Sequence, residues 1–156
     1  MSNLMDKPPE VSVVLLACNH ARYIAQSIES VLQQANDAHI EILIGDDAST
    51  DGTSEIVAAY AVAYPRLIQH IRRFERIGGS ANYIDLLVRA RGEFIAYLDG
   101  DDYWLPGKLK HQLKYIYSHQ DCSAVYTNAF SISESGVKIG VFNDYPGEEI
   151  HLSDLL

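Results

Sequence analysis

The sequence predicts an α/β domain with a mostly parallel sheet and helices on both faces. Short runs of β-branched and aliphatic residues alternate with segments whose apolar residues recur at helical spacing, from residue 11 to about residue 129. Strands that alternate with helices of this length form parallel sheets. The chain has 156 residues, 47% of them hydrophobic, which is enough for one domain with its own core.

The first two strands and helices follow directly from this pattern. The β-branched run over residues 11–17 is typical of a strand that is buried on both faces. Ile24, Ile28 and Val31 then recur at helical spacing, and residues 40–45 form a second apolar run. Asp51 is a candidate N-cap for a helix that ends before Pro65.

The later elements continue the alternation. A third strand is predicted over residues 67–71, and Gly78 opens a helix that carries Ile84, Leu87 and Val88 and ends at Gly92. A fourth strand follows over residues 94–98. The remaining predicted elements are an amphipathic helix over residues 105–116, a fifth strand over residues 123–127, a hairpin arm or crossover over residues 137–142 and the first turn of a helix over residues 151–156.

Composition excludes several classes of protein. The chain carries 12 Lys and Arg against 21 Asp and Glu, a formal net charge of −9 that would repel a nucleic-acid backbone. The two cysteines, Cys18 and Cys122, form no metal or disulfide motif, so a reducing cytoplasm is expected. Apolar runs are far shorter than a transmembrane segment.

Two groups of acidic residues follow predicted strands, where ligands of parallel sheets bind. Asp46 and Asp47 come after the second strand, and Asp99, Asp101 and Asp102 come after the fourth. Carboxylates this close raise one another's pKa unless a cation compensates, and oxygen ligands suit Mg²⁺ or Mn²⁺. The alternative is ordinary turn and cap chemistry, for which Asp is common.

Other residues have a structural and a functional interpretation. Tyr103 and Trp104 could stack on a ligand, but aromatic residues at a helix entry more often pack in the core. The six histidines lack the spacing of a helical zinc site. The lysines of the helix over residues 105–116 are expected on its solvated face: Lys108, Lys110 and Lys114.

Three segments resemble the successive motifs of family 2 glycosyltransferases with the GT-A fold. They are VSVVLLACNH at residues 11–20, DDASTDGT at residues 46–53 and GEFIAYLDGDD at residues 92–102. The resemblance runs from about Val11 to the C-terminus and implies a Rossmann-like sheet that binds a nucleotide-diphosphate sugar. It divides the chain into a lead-in (residues 1–10), a nucleotide-sugar-binding domain (residues 11–129) and the start of an acceptor-side region (residues 130–156) that is expected to be truncated.

The resemblance also implies residues that contact the nucleoside. Asp47, with its neighbour Asp46, would face the nucleobase and ribose, and the backbone from Ala17 to Asn19 would line the same pocket. Asn82 resembles an asparagine of the family and would touch the donor; an exposed position on the helix surface is the alternative.

The metal and the phosphates would bind at the second acidic group. Asp99, Gly100 and Asp101 match the Asp-x-Asp motif of the family. Asp101 would contact Mg²⁺ or Mn²⁺ directly, and Asp99 would contact the ribose or the metal and its water. The resemblance implies a UDP-sugar as donor, and a saccharide or lipid-linked saccharide of polysaccharide biosynthesis as acceptor.

The chain departs from the family in two places. Ala17 and Cys18 stand where the family often has Pro and Tyr, and no segment before Leu156 matches the motif of the catalytic base. Asp144 and Asp154 are late acidic residues outside that motif. We therefore expect donor binding with little transfer, and an exposed apolar surface that favours a homo-oligomer.

Three hypotheses remain open at this point. The first is the donor-binding half of a glycosyltransferase, cytoplasmic and peripheral to the membrane in a longer protein. The second is a noncatalytic nucleotide-sugar-binding module. The third, a receiver-like signalling domain that binds Mg²⁺, is disfavoured because the first strand ends in Ala17, Cys18 and Asn19 instead of an acidic pair.

Overall fold

The computed structural model describes residues 7–142, in which six strands and four α-helices occur. A boundary between Lys114 and Tyr115 divides the chain into two compact units. A short 3-10 helix, Gln33–Asn36, continues the first α-helix. The elements are β1 Val11–Ala17, α1 Ile24–Leu32, β2 Ile40–Asp46, α2 Thr53–Ala63, β3 Ile68–Arg72, α3 Gly79–Arg89, β4 Phe94–Asp99, α4 Lys108–Ser118, β5 Phe130–Ile132 and β6 Lys138–Val141.

Four parallel strands form the sheet of the first unit, in the order β3-β2-β1-β4. This order and the flanking helices confirm the predicted Rossmann-like α/β fold. In a receiver-like sheet, the first strand lies between the second and third strands. Here β1 lies between β2 and β4, so the sheet order excludes the receiver-like alternative.

Helices cover both faces of this sheet. On one face, side chains of α1, α2 and α4 pack against alternate residues of β1 and β2, and Trp104 joins the same cluster. On the other face, Leu86 of α3 packs against Val14 and Leu43. Strands β1 and β2 are buried almost throughout, as expected for central parallel strands.

The orientation of α3 differs from the sequence pattern. Of the three residues that mark its predicted apolar side, Leu87 packs against the core, but Ile84 and Val88 are 60% and 81% exposed. The buried residues are Asn82 and Leu86 instead. The physical reason is a polar contact, since the Asn82 amide bonds the backbone of β2 and thereby sets the rotation of the helix.

The second unit corrects one predicted strand. Residues 123–127 form no strand in the described part of the chain, because the backbone pairing of this unit joins β5 and β6 instead. That antiparallel pair confirms the predicted hairpin arm over residues 137–142. The helix predicted over residues 151–156 lies outside the described residues, as do Asp144 and Asp154.

Among residues 7–142, no helix is both long and apolar enough to span a bilayer.

A buried polar cluster joins the amino-terminal ends of the strands. The Ser12 hydroxyl donates to Glu41 over 2.6 Å and accepts the Gly92 N–H over 2.7 Å. The Arg91 guanidinium donates to the other Glu41 oxygen over 2.9 and 2.6 Å. Burial opposes ionisation of Glu41, but these hydrogen bonds outweigh it and lower its pKa. The cluster ties the turn before β4 to β1 and β2.

Replacing Glu41 by Gln should lower the free energy of unfolding at pH 7 by about 1–3 kcal/mol, because the buried Ser12 hydroxyl and the Arg91 N–H groups lose a charged acceptor. The pKa of Glu41 is lower in the folded chain than its ordinary value of 4.5, so its stabilising contribution is present above that pH and is lost as the pH falls. Urea unfolding at pH 7 and pH 4 should therefore show a smaller difference between wild type and Glu41→Gln at pH 4. Glu93→Gln, an exposed change of the same charge, is the control.

Candidate functional site

The strand register brings the predicted site residues to one edge of the sheet. Ala17 of β1 pairs with Asp46 of β2, and Leu16 pairs with Asp99 of β4. A cleft of about 360 Å³ lies at this edge, where the strand order changes direction and where ligands of such sheets bind. Its lining residues are Leu16, Ala17, Cys18, His20, Asp47, Arg76, Gly78, Gly79, Asn82 and Asp99.

Hydrogen bonds tie the loop after β1 to the loop after β2. The Thr50 N–H donates to the Asn19 side-chain oxygen over 2.8 Å, and the His20 N–H donates to the Thr53 hydroxyl over 2.8 Å. That hydroxyl donates to Asp51 over 2.6 Å. The Asn19 side chain is therefore engaged between the loops, and the cleft is lined by its neighbours on either side.

The two adjacent aspartates after β2 have different environments. Asp46 is fully buried, with its carboxylate accepting the Ser49 N–H over 3.1 Å and lying 3.7 Å from Nε2 of His70. Burial disfavours its charge, but the neighbouring polar groups of His70, Ser49 and Ser54 outweigh that effect and hold the pKa of Asp46 well below its ordinary value. The Asp46 carboxylate thus bonds the loop after β2 from inside the protein, whereas the Asp47 side chain lines the cleft.

Asp47 organises the loop between β3 and α3. Its two carboxylate oxygens accept the N–H groups of Ile77 and Gly78 over 2.8 and 3.0 Å. Each oxygen keeps a second lone pair, so the carboxylate can still accept a hydrogen bond from a ligand. The Cys18 thiol donates to the Asp47 carbonyl over 3.4 Å, and burial raises the pKa of that thiol.

Asn82 is a buried residue that lines the inner wall of the cleft. It is 1% exposed, and its amide nitrogen donates to the Gly45 carbonyl over 2.8 Å. A Cβ atom at Gly45 would lie 2.8 Å from that nitrogen, so α3 approaches β2 closely only because the strand has glycine there. The alternative of an exposed helix-surface position is therefore wrong. The Arg73 side chain donates to the Asn82 oxygen over 3.4 Å and forms an ion pair with Asp85. Arg89 and Arg73 together lower the pKa of Asp85 to about 2.

The acidic loop after β4 carries charge that its own contacts leave uncompensated. Asp99 accepts the Tyr97 hydroxyl over 2.5 Å and faces the cleft, whereas Asp101 is exposed. Desolvation and the like charges of Asp101 and Asp99 raise the pKa of Asp102, and His20 opposes this rise. The site therefore has a local excess of negative charge.

These carboxylates fit a hard divalent cation, although they do not enclose one. Among the described residues, no group of three or more Asp, Glu, His or Cys side chains could hold a metal ion by itself. Mg²⁺ and Mn²⁺ suit an open set of this kind, because they commonly bind one or two carboxylates and complete their shell with water and phosphate oxygens. Asp99 and Asp101 are the residues that offer such ligands.

Sequence reasoning missed two basic cleft residues and misplaced one lysine. Arg76 and His20 add basic groups to the cleft, whereas Ala17 and Cys18 line it as expected. Arg76 precedes Gly78 and Gly79, and that position between a strand and a glycine pair was the available signal. Trp104 packs in the core as expected, but Lys108 lies over its ring at 4.7 Å instead of in solvent, and desolvation lowers the pKa of that lysine to about 8.

Comparison with known proteins gives a consistent family. The sequence matches Glycosyl transferase family 2 over residues 12–144. An uncharacterised protein of Mycobacterium tuberculosis is 38% identical, over 85% of this chain and 38% of its own length. The putative glycosyltransferase EpsE of Bacillus subtilis is 37% identical, over 86% of this chain and 48% of its own length. The putative teichuronic acid biosynthesis glycosyltransferase TuaG of Bacillus subtilis is 34% identical, over 95% of this chain and 57% of its own length.

Solved structures show the same fold. The mannosyltransferase PcManGT of Pyrobaculum calidifontis, in complex with GDP-Man and Mn²⁺, has a TM-score of 0.63 and 27% identity, and the match covers 72% of this chain and 33% of that protein. Residues 1–349 of TarS from S. aureus, in complex with UDP, give a TM-score of 0.62 and 28% identity, covering 71% of this chain and 33% of that one. The chain thus spans one third to little more than half of the length of these proteins.

Replacing Asn82 by Ala should lower the free energy of unfolding by about 1–3 kcal/mol, because the buried Gly45 carbonyl loses its donor. Urea unfolding measures this loss. Ser80→Ala, an exposed change on the same helix, should stay within about 0.5 kcal/mol of wild type. Equal effects of the two substitutions would contradict the structural role of the Asn82 amide.

Proposed function

Because the chain belongs to glycosyltransferase family 2, we propose that it forms the donor-binding part of an enzyme that transfers a sugar from a nucleotide-diphosphate sugar. One observation carries the proposal. A cleft at the carboxyl ends of the parallel strands has Asp47 on one side and Asp99 on the other, with β1 between them. This arrangement offers separate places for a nucleoside and for a diphosphate.

We assign the nucleoside to the side of Asp47. Its carboxylate holds the loop at Ile77 and Gly78, lines the cleft and keeps lone pairs that can accept from a ligand. The backbone at Ala17 and Cys18 forms the facing wall. We propose uridine as the base, which the UDP complex of TarS supports, and the GDP-Man complex of PcManGT makes guanosine the competing outcome.

We assign the diphosphate to the side of Asp99 and Asp101. A divalent cation bound there, Mg²⁺ or Mn²⁺, would neutralise the charge that develops on the departing nucleotide. The Mn²⁺ of the PcManGT complex supports this assignment. Arg76, in the lining of the same cleft, adds a permanent positive charge that attracts an anionic ligand.

The acceptor and the cellular location are further parts of the proposal. A saccharide or lipid-linked saccharide acceptor is supported by TuaG, whose name places that relative in teichuronic acid biosynthesis. The two cysteines are free, as suits the reducing cytoplasm that we propose as the location. Transfer also needs a general base within hydrogen-bond reach of the acceptor hydroxyl, and we assign none among residues 7–142.

Binding of UDP should depend on a divalent cation. Calorimetry with UDP, UDP-GlcNAc and GDP-mannose, in Mn²⁺ and in EDTA, tests donor and metal together. Asp101→Asn should abolish the gain in affinity from Mn²⁺ and preserve cooperative melting, because removing one of several like charges relieves repulsion in the metal-free protein. Equal affinity of wild type in Mn²⁺ and EDTA would remove the cation from this site, and no binding of any nucleotide would overturn the proposed function.

Asp47 and Asp101 should affect different parts of the ligand. Asp47→Ala should weaken uridine and UDP alike, because both contain the nucleoside, whereas Asp101→Ala should weaken UDP and leave uridine unchanged. Glu93→Gln is the control for a general change in charge, since this residue is exposed at the start of β4, at the opposite end of the sheet. If both aspartate variants weaken both ligands equally, the division of the cleft is wrong.

A further inference from the structure

α1 and the 3-10 helix that continues it carry a stripe of buried polar side chains that the proposed reaction does not use. Ser27, Ser30 and Gln34 are 1%, 5% and 0% exposed. Their spacing of three and four residues places them along one side of the helix. Buried polar groups are costly unless they are hydrogen-bonded, so the partners of this stripe indicate its role.

The two serines bond the backbone of the Asp-x-Asp motif and of the residues that follow it. The Ser27 hydroxyl lies 2.5 Å from the carbonyl oxygen of Asp102 and 2.9 Å from that of Gly100, and shares its one hydrogen between them. The Ser30 hydroxyl accepts the Trp104 N–H over 3.0 Å. Ser27 therefore holds the acidic loop by its main chain, and Ser30 holds the chain two residues after the loop. Neither serine bonds a carboxylate of the loop.

Gln34 extends the same contact to the start of α4. Its amide nitrogen donates to the Leu105 carbonyl over 3.1 Å, and its amide oxygen accepts the Leu109 N–H over 3.2 Å. The stripe thus bonds backbone groups at five positions of the segment 100–109. They are Gly100, Asp102, Trp104, Leu105 and Leu109.

The loop is also held from the side of β1. The Gly100 N–H donates to the Leu16 carbonyl over 2.7 Å. A Cβ atom at position 100 would lie 2.8 Å from that carbonyl oxygen and 2.7 Å from Nδ1 of His20, so the close approach requires glycine. Residue 100 is therefore clamped between β1 and α1.

We propose that Ser27, Ser30 and Gln34 are positioning residues that hold the acidic loop, residues 99–102, in the geometry that binds the cation and diphosphate. The inference rests on the proposed function, because that function assigns the cation to Asp99 and Asp101. Without a cation, like charges push such a loop apart, and the stripe opposes this with hydrogen bonds to neutral backbone groups. A loop that is already ordered binds its ligand without the entropic cost of ordering.

Ser27→Ala tests the proposal, with Ser12→Ala as a matched control. Ser12 is also a buried serine that bonds backbone and side-chain groups, but it lies at the opposite end of the sheet. Hydrogen exchange of residues 99–109 in the ligand-free protein should become at least about tenfold faster in Ser27→Ala and stay as in wild type in Ser12→Ala. Calorimetry should show that the Mn²⁺-dependent gain in UDP affinity falls at least about fivefold in Ser27→Ala only, with uridine affinity unchanged.

Gln34→Met provides a second variant, which keeps the side-chain length and removes both hydrogen bonds. It should speed exchange at residues 104–109 and lower the Mn²⁺-dependent gain in UDP affinity as Ser27→Ala does. If exchange of residues 99–109 and the Mn²⁺-dependent gain are the same in Ser27→Ala as in Ser12→Ala, the positioning role is overturned. If wild type shows no gain from Mn²⁺, the assigned cation fails, and the exchange measurement alone decides whether the stripe holds the loop.

Discussion

The site depends on one constraint, which is that β1 lies between β2 and β4 in a parallel sheet. The register pairs Ala17 with Asp46 and Leu16 with Asp99, so two acidic segments about 50 residues apart in sequence meet across a single strand. The change in strand order at β1 opens the cleft between them.

The acidic residues at the cleft are used in two different ways. The Asp46 carboxylate is buried and accepts the Ser49 N–H, and the Asp47 carboxylate accepts the N–H groups of Ile77 and Gly78. Asp99 and Asp101 have few such contacts, and desolvation together with their like charges raises the pKa of Asp102. Negative charge that the fold does not compensate is available to a cation, and this difference supports the cation site that we propose in the loop after β4.

Buried polar side chains set the positions of the backbone around the cleft. Asn82 fixes α3 against β2 through the Gly45 carbonyl, and Ser27 fixes the acidic loop against α1. In both places a glycine permits the close approach, at Gly45 and Gly100. Such contacts are directional, unlike apolar packing, so they specify where a loop lies as well as how stable it is.

The sequence by itself determined the parallel α/β fold, the four central strands and the two acidic groups at strand ends, because hydrophobic periodicity and strand-end position are local properties. It did not determine that Asp46 is buried, that Asn82 faces the sheet instead of Ile84, or that Ser27 reaches the loop at Gly100. It also predicted a strand at residues 123–127, but those residues form none, and the paired strands of the second unit are β5 and β6. These features depend on partners that are distant in sequence or on competition between strands, and only the tertiary structure decides which of these groups meet.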